Sequence, residues 1–306
     1  MHEFRTVTYQ PDNLPKVTIA IQDSDLNQAD LLSLMVDELD ALFSQHVELL
    51  AVEIECQDIN VWHKVKQKLP IFTDCTLKRA AFYQSQFNWL KHKPSDRYPL
   101  LQVQTDSRYR HHPQRPPMPE GLVYQRYDAK SELTVSFRVF TLEKDLDNFT
   151  IWMNDPRVAE FWEQAWSREK LAEFAQQRLA DPHIIPLIAE FNGQPFGYIE
   201  AYWVAEDRLS PYYPVENFDR GIHLLVGEES FRGPKYFDCW MRAISHYLFI
   251  DDARTQRIVL EPRHDNQRLF KRILPLGYDK CMEFNFPHKR SALLMLNRDR
   301  FFEEQW

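Results

Sequence analysis

Residues 220–236 read Arg220-Gly221-Ile222-His223-Leu224-Leu225-Val226-Gly227-Glu228-Glu229-Ser230-Phe231-Arg232-Gly233-Pro234-Lys235-Tyr236. Residues 221–227 are a short apolar run between glycines and read as a strand; 228–235 form a loop, and a helix is expected from about 236 to 249. The loop delivers Arg232 and Lys235 to a helix N-terminus, where unpaired N–H groups and a partial positive charge already favour an anion. Upstream, Asn192-Gly193 separates alternating runs at 184–190 and 195–203, a strong hairpin signal. Before it lie a strand at 133–140 and helices at 146–162 and 168–179. Downstream come a strand at 257–260, a helix at 267–274 and strands at 278–286 and 291–296. The order is β-α-α-β-β-β-α-β-α-β-β, which predicts a mixed α/β (α+β) sheet.

The densest group of the 19 prolines lies between residues 113 and 119, where neither a helix nor a central strand can run. This divides the chain into an N-terminal α/β domain (1–112), a proline-rich connector (113–132) and the sheet domain (133–306). The first part carries a strand at 17–21 and a helix at 27–43 with Asn27 as N-cap and a stripe of Leu31, Leu32, Met35, Leu39 and Leu42. A second strand is expected at 47–54. That apolar stripe leaves a homodimer open, and the N-terminal half shows no catalytic constellation.

Composition narrows the chemistry. The 306 residues include only 7 glycines, against roughly 21 at average usage, and no two are separated by a single residue. Neither G-x-G-x-x-G nor G-x-x-x-x-G-K-[ST] can be written, which excludes the usual dinucleotide and P-loop sites. Lys and Arg number 37 against 45 Asp and Glu, a net charge of -8, so no nucleic-acid face is expected. No run approaches the roughly 18 apolar residues of a membrane span, and the start lacks a signal-like apolar core; a cytoplasmic protein that does not meet the membrane is expected. Four scattered cysteines read as reduced thiols. His111 and His112 lack a carboxylate at ligand spacing, so no metal is expected.

The element order resembles the GNAT acyltransferase fold. In that family the fourth strand leads through a loop, typically [RQ]-x-x-G-x-[GA], into a helix that takes the CoA pyrophosphate; here the loop keeps only Gly233 and places Pro234 where a donor would be. A second family pattern, N-x-x-[AL]-x-x-x-Y-x-x-x-G-[FY], is matched by Asn266, Leu269, Gly277 and Tyr278. Ile273 replaces the tyrosine that many relatives use to protonate the departing thiolate, so that role must be filled elsewhere. Several blocks in order resemble the aerobactin-type siderophore acyltransferases: residues 113–117 and 123–128, Trp152-Met153-Asn154-Asp155-Pro156-Arg157-Val158, Ala205-Glu206-Asp207-Arg208, residues 220–227 and 254–257, Glu261-Pro262-Arg263-His264-Asp265-Asn266-Gln267-Arg268-Leu269-Phe270 and Phe286-Pro287-His288-Lys289-Arg290-Ser291. Residues 1–110 match weakly.

The resemblance implies an enzyme that moves an acyl group from acetyl-CoA or succinyl-CoA to the hydroxylated nitrogen of N-hydroxylysine or an N-hydroxy-diamine. The product is a hydroxamate, and association with other siderophore-biosynthesis enzymes follows. It also implies CoA contacts at Leu224, Leu225, Val226, Arg232, Gly233, Lys235, Asn266 and Phe270, and catalysis by a histidine and an aspartate at His223 and Asp265.

That chemistry needs a neutral nitrogen, an oxyanion site and a proton for the thiolate. His223, with an ordinary pKa near 6.5, is the natural proton acceptor, and Asp265 either caps a helix or orients His223. Backbone N–H groups of residues 224–226 are the expected oxyanion donors. Glu200, Tyr202 and Trp162 suit a substrate ammonium, while the run from His288 to Arg290 suits a substrate carboxylate or a CoA phosphate. Two rivals remain open: a GNAT acetyltransferase of aminoglycosides or simple amines, and a non-catalytic acyl-CoA-binding partner of a siderophore synthetase.

Overall fold

A computed structural model describes residues 16–19, 28–56, 58–87, 89–104 and 111–304. The chain divides into two compact units, Met1–Asn88 with Phe301–Trp306, and Trp89–Arg300. In the first unit, β1 (Lys16–Ile19), α1 (Gln28–Gln45), β2 (Ala51–Cys56), α2 (Ile59–Lys68), β3 (Phe72–Thr73), β4 (Thr76–Lys78) and α3 (Arg79–Tyr83) follow in order. The sheet order is β1-β2-β4-β3, with β1 and β2 parallel across α1. Helix α1 buries Leu32, Met35 and Leu39 of the expected stripe, while Leu31 and Leu42 are half-buried and Phe43, outside the stripe, is buried instead; its expected cap, Asn27, lies outside the described residues. The second strand starts four residues later than expected. Val47 falls in a turn and is 63% exposed. Helix α2, an addition to the expected elements, is capped by Asp58, whose carboxylate accepts the N–H groups of Asn60 and Val61 at 2.8 and 3.3 Å.

The second unit begins 24 residues before the proline cluster's first proline, since Lys91 N–H donates to the Val123 carbonyl (2.9 Å) and Gln125 N–H to that of Trp89 (3.0 Å). Strands β5 (Gln102–Gln104) and β6 (His111–Pro113) pair with each other. Part of the expected connector is itself a strand, β7 (Leu122–Asp128), because its alternating side chains bury Val123, Tyr124 and Arg126. Then come β8 (Leu133–Val139), α4 (Leu142–Asn154), α5 (Pro156–Trp162), α6 (Arg168–Ala180), β9 (Ile184–Phe191), β10 (Gln194–Trp203), β11 (Arg220–Val226), α7 (Pro234–Asp251), β12 (Arg257–Leu260), α8 (Gln267–Ile273), β13 (Asp279–Asn285) and β14 (Arg290–Asn297); α9 (Arg298–Glu304) follows, its residues from Phe301 onward belonging to the first unit.

The helix expected at 146–162 is two helices. Asp155 ends α4 and caps α5, accepting the Arg157 N–H at 2.8 Å, and Pro156 occupies the first turn of α5, where its missing N–H costs nothing. Asn192 and Gly193 both have positive φ, 50° and 78°, as a two-residue type I′ hairpin requires. The eight-stranded sheet runs β13-β14-β12-β11-β10-β9-β8-β7. Only β11 and β12 are parallel neighbours, and they pair only at Arg220 with Ile258 and Gly221 with Val259. Beyond those pairs the two strands separate. The opening is supported by a core of Phe149, Trp152, Leu171, Tyr198 and Leu225, into which Gly227 fits only because it has no side chain: a Cβ there would lie 2.0 Å from the Trp152 ring.

Candidate active site

Strand pairing alternates the backbone edges that face a neighbour. The Leu225 carbonyl faces β10, close enough that a Cβ on Gly197 would lie 2.4 Å from it. Leu224 therefore faces the other way, and its carbonyl accepts the Trp162 indole N–H at 3.3 Å. Beyond Gly221 that edge has no β12 partner, so the N–H groups of Leu224 and Val226 point into the gap. Leu225 is directed to β10 and the core instead, which removes it from the expected oxyanion donors. The gap widens into a cleft of about 1590 Å³.

His223 stands opposite Glu200 in the β10–β11 register, so both side chains lie on one face of the sheet. Its Nδ1 lies 2.9 Å from Glu200 Oε2, and its Nε2 lies 2.9 Å from Glu261 Oε1. Glu261 immediately follows β12, where the chain has left β11. Tyr202, two residues along from Glu200, donates to Glu261 Oε2 at 3.1 Å and lays its ring 4.6 Å from the imidazole; Tyr198 donates to Glu200 Oε1 at 3.1 Å. Arg178 and Arg208 add ion pairs to Glu200 (3.6 Å) and Glu261 (3.4 Å). Both carboxylates are almost fully buried, whereas the His223 side chain is 22% exposed.

This arrangement changes the chemistry expected of His223. Burial by itself would lower the imidazole pKa, but the Glu261 charge and the hydrogen bonds to both glutamates outweigh it and raise it to about 10. Burial would raise Glu261, yet the His223 charge and hydrogen bond, with Lys289 and Arg208 beyond, hold it well below the usual carboxylate range. Glu200 is lowered against its own burial by the same histidine and by Arg178. At neutral pH the site thus holds an imidazolium between two carboxylates.

Asp265 does not join them. It is half exposed and turns onto Arg263 at 3.1 and 2.8 Å, and Asn266 rather than Asp265 caps α8, accepting the Leu269 N–H at 3.1 Å. Glu200 and Tyr202, expected at a substrate ammonium, are committed to the histidine network. Glu261 is the partner that no local motif marks. Its signal is the position one residue past a strand that runs parallel to the histidine strand. Trp162, Leu224, Val226, Arg232, Gly233 and Asn266 line the cleft; Lys235 is exposed outside its lining, and Phe270 is buried under Lys280, whose Nζ lies 5.1 Å from its ring. Ile273 is wholly buried, so nothing replaces the missing tyrosine there.

Two expected outcomes follow from this geometry. Arg232, paired only loosely with exposed Glu229 at 3.6 Å, sits at the start of α7, where Gly233 has φ 134°. Arg232→Ala should raise the KM for acetyl-CoA roughly tenfold and flatten its salt dependence, the scale of one charge-assisted contact, and Lys235→Ala should do less; equal effects would overturn this order. Gly221 lies beneath Tyr202, and a Cβ would come 2.1 Å from its Cζ. Gly221→Ala should therefore cost about 1–3 kcal/mol of stability by overpacking and lower kcat, readable by thermal melts and turnover on the same sample.

Among the described residues, no helix is long and apolar enough to cross a membrane. The sequence matches an acetyltransferase (GNAT) domain over residues 141–286. It is 43% identical over 273 residues to the N(6)-hydroxylysine O-acetyltransferase of Escherichia coli, covering 88% of this chain and 85% of that protein. A N(5)-hydroxyornithine:cis-anhydromevalonyl coenzyme A-N(5)-transacylase of Beauveria bassiana is 38% identical over 202 residues, 63% of this chain and 43% of that protein. Among solved structures, an uncharacterized Bacillus halodurans protein matches with a TM-score of 0.57 and 28% identity, covering 60% of this chain and 94% of its own.

Proposed function

The chain belongs to the aerobactin-type siderophore acyltransferases of the GNAT superfamily, and on that premise we propose that it transfers an acyl group from acyl-CoA to the hydroxylated nitrogen of N-hydroxylysine or an N-hydroxy-diamine. The observation that carries the reading is the Glu200–His223–Glu261 cluster beside the opening between β11 and β12. The same reading places the enzyme in the cytoplasm, alongside the enzymes that hydroxylate the amine and consume the hydroxamate.

The neutral nitrogen attacks the thioester carbonyl, and the N–H groups of Leu224 and Val226 receive the developing oxyanion. As the N–C bond forms, the nitrogen becomes acidic and passes its proton to the Glu261 carboxylate. A carboxylate suffices because hydroxylation has already lowered the basicity of the nitrogen. His223 keeps Glu261 ionised and aimed rather than accepting the proton itself. The C–S bond then breaks and CoA leaves as a thiolate, with an ordinary thiol pKa near 8.5; the proton on Glu261 passes through solvent to that thiolate and the carboxylate is restored.

The test is thiol release from acetyl-CoA or succinyl-CoA with N6-hydroxylysine, N-hydroxyputrescine and N-hydroxycadaverine, beside cadaverine and an aminoglycoside. Rapid release with a hydroxylated amine, and a product that gives the coloured ferric hydroxamate, is the expected result. Equal rates with the unhydroxylated amines would establish the general acetyltransferase instead, and CoA binding with no turnover on any acceptor would establish a binding protein.

A further inference from the structure

Phe286, buried at the hairpin between β13 and β14, gathers two cationic side chains and an imidazole. The Arg208 guanidinium lies 5.3 Å from its ring centre, the Lys289 ammonium 5.6 Å, and the His288 ring stacks on it at 5.6 Å. All three residues line the cleft. Among the described residues, Arg208 donates only through Nη2, to Glu261 Oε1 at 3.4 Å, and Lys289 only to the Glu261 backbone carbonyl at 2.9 Å. Nε and Nη1 of Arg208 and two ammonium protons of Lys289 have no protein acceptor among the described residues.

Arg208 and Lys289 share one bonded carboxylate residue, Glu261, whose Oε1 already faces His223 Nε2. Asp207 and Glu163 lie near Lys289 but make no hydrogen bond to it or to Arg208 among the described residues, and burial pushes the Asp207 carboxyl upward. A partly buried pair of cations with free donors suits an anion.

Position separates this site from the CoA phosphates. Strand β10 pairs Trp203 with Arg220 at one end of β11 and Gly197 with Val226 at the other. The pyrophosphate helix α7 follows the Val226 end, whereas Arg208 follows β10 beyond Trp203. The segment bearing Arg208 is also fixed: Arg115 grips Glu206 with two hydrogen bonds of 2.5 and 2.6 Å and stacks on Trp203 at 4.4 Å.

We infer that Arg208 and Lys289, set by Phe286, form a carboxylate subsite that selects an N-hydroxylated amino acid over the diamine lacking its carboxylate. The inference rests on the acyl-transfer reading above and concerns the far end of the acceptor from the reacting nitrogen. N6-hydroxylysine, its methyl ester and N-hydroxycadaverine share the hydroxylamine and the terminal amine, and only the first carries the carboxylate.

The experiment measures kcat/KM for these three acceptors with the full-length enzyme at saturating acetyl-CoA. N6-hydroxylysine should lead both others by about thirtyfold, the scale of one or two charge-assisted hydrogen bonds. The double variant Arg208→Ala/Lys289→Ala should bring the ratios to within about threefold, and Arg208→Glu should invert them in favour of N-hydroxycadaverine. Circular dichroism and acetyl-CoA binding on each variant separate misfolding from lost selection. Equal kcat/KM for the three acceptors in the parent, ratios that survive both variants, or a rise in acetyl-CoA KM alone would overturn the subsite and leave acyl transfer standing. Absence of turnover on all three in the parent would overturn both.

Discussion

Glu261→Gln, which removes the proton acceptor, and His223→Ala, which leaves it unaimed, are each expected to lower kcat with a hydroxylated amine by roughly 10²–10⁴-fold, the range of a positioned proton acceptor, while acetyl-CoA affinity stays within about threefold. Both substitutions break the same 2.9 Å contact, so their effects should be far from additive, and the double variant should be little slower than the worse single one. Asp265→Ala should stay near the parent rate, since its carboxylate holds Arg263 and not the histidine. If Asp265→Ala falls as far as Glu261→Gln, the assignment of Glu261 fails.

The pH profile carries the sharper distinction. An imidazole acting as base with its ordinary pKa would make kcat rise through pH 6.5. Held between Glu200 and Glu261 it titrates at about 10, so kcat should stay level from about pH 6.5 to 9. In Glu261→Gln the imidazole keeps one carboxylate only, and an inflexion should enter that window. Stability follows the same sign. Because the folded pKa lies above the free value, the contribution of His223 is whole below about pH 6.5 and is lost as pH rises through about 10. A parent kcat that bends near pH 6.5 at saturating acceptor would return the proton to His223.

Asp251→Ala should lower stability by about 3–5 kcal/mol, the cost of leaving a buried charge unpaired, and the melting temperature by about 10 °C for a unit of this size. Arg220 and Asp251 are both fully buried and meet at 2.9 Å. Nε and Nη2 of Arg220 already lack acceptors, and its guanidinium otherwise rests on the Trp203 ring at 3.9 Å. Asp251 also takes the Ser95 hydroxyl at 3.0 Å, tying the segment before the proline cluster to the end of α7. The paired change Arg220→Met/Asp251→Leu should recover most of the loss, because removing both charges removes the desolvation cost with them. A single variant that melts within about 2 °C of the parent, or a pair that melts below the single, would show that the ion pair is not what holds this junction.

The strand, hairpin and helix order of residues 133–297 was legible because each signal is local. Alternation marks β10 and β11, Asn192-Gly193 demands positive φ, and Asp155-Pro156 can end one helix and start another, although periodicity alone ran those helices together. The N-terminal boundary was less legible. Prolines exclude helix wherever they fall, but only long-range pairing shows that Lys91 bonds Val123 and that residues 122–128 join the sheet.

The sequence by itself determined the element order, the absence of glycine-rich nucleotide loops and the family of acyltransferases, since periodicity, turn chemistry and ordered blocks are carried by neighbouring residues, and that resemblance singled out the histidine at 223. Tertiary structure decided the hydrogen-bond partners of His223. Glu200 reaches it through antiparallel register, Glu261 through the end of a parallel strand 38 positions away, and Gly221 makes room for the tyrosine that joins them. A pKa depends on burial and on charges a few ångströms away, whatever their distance along the chain, so whether His223 is a neutral base or a held imidazolium could be read only from the folded protein.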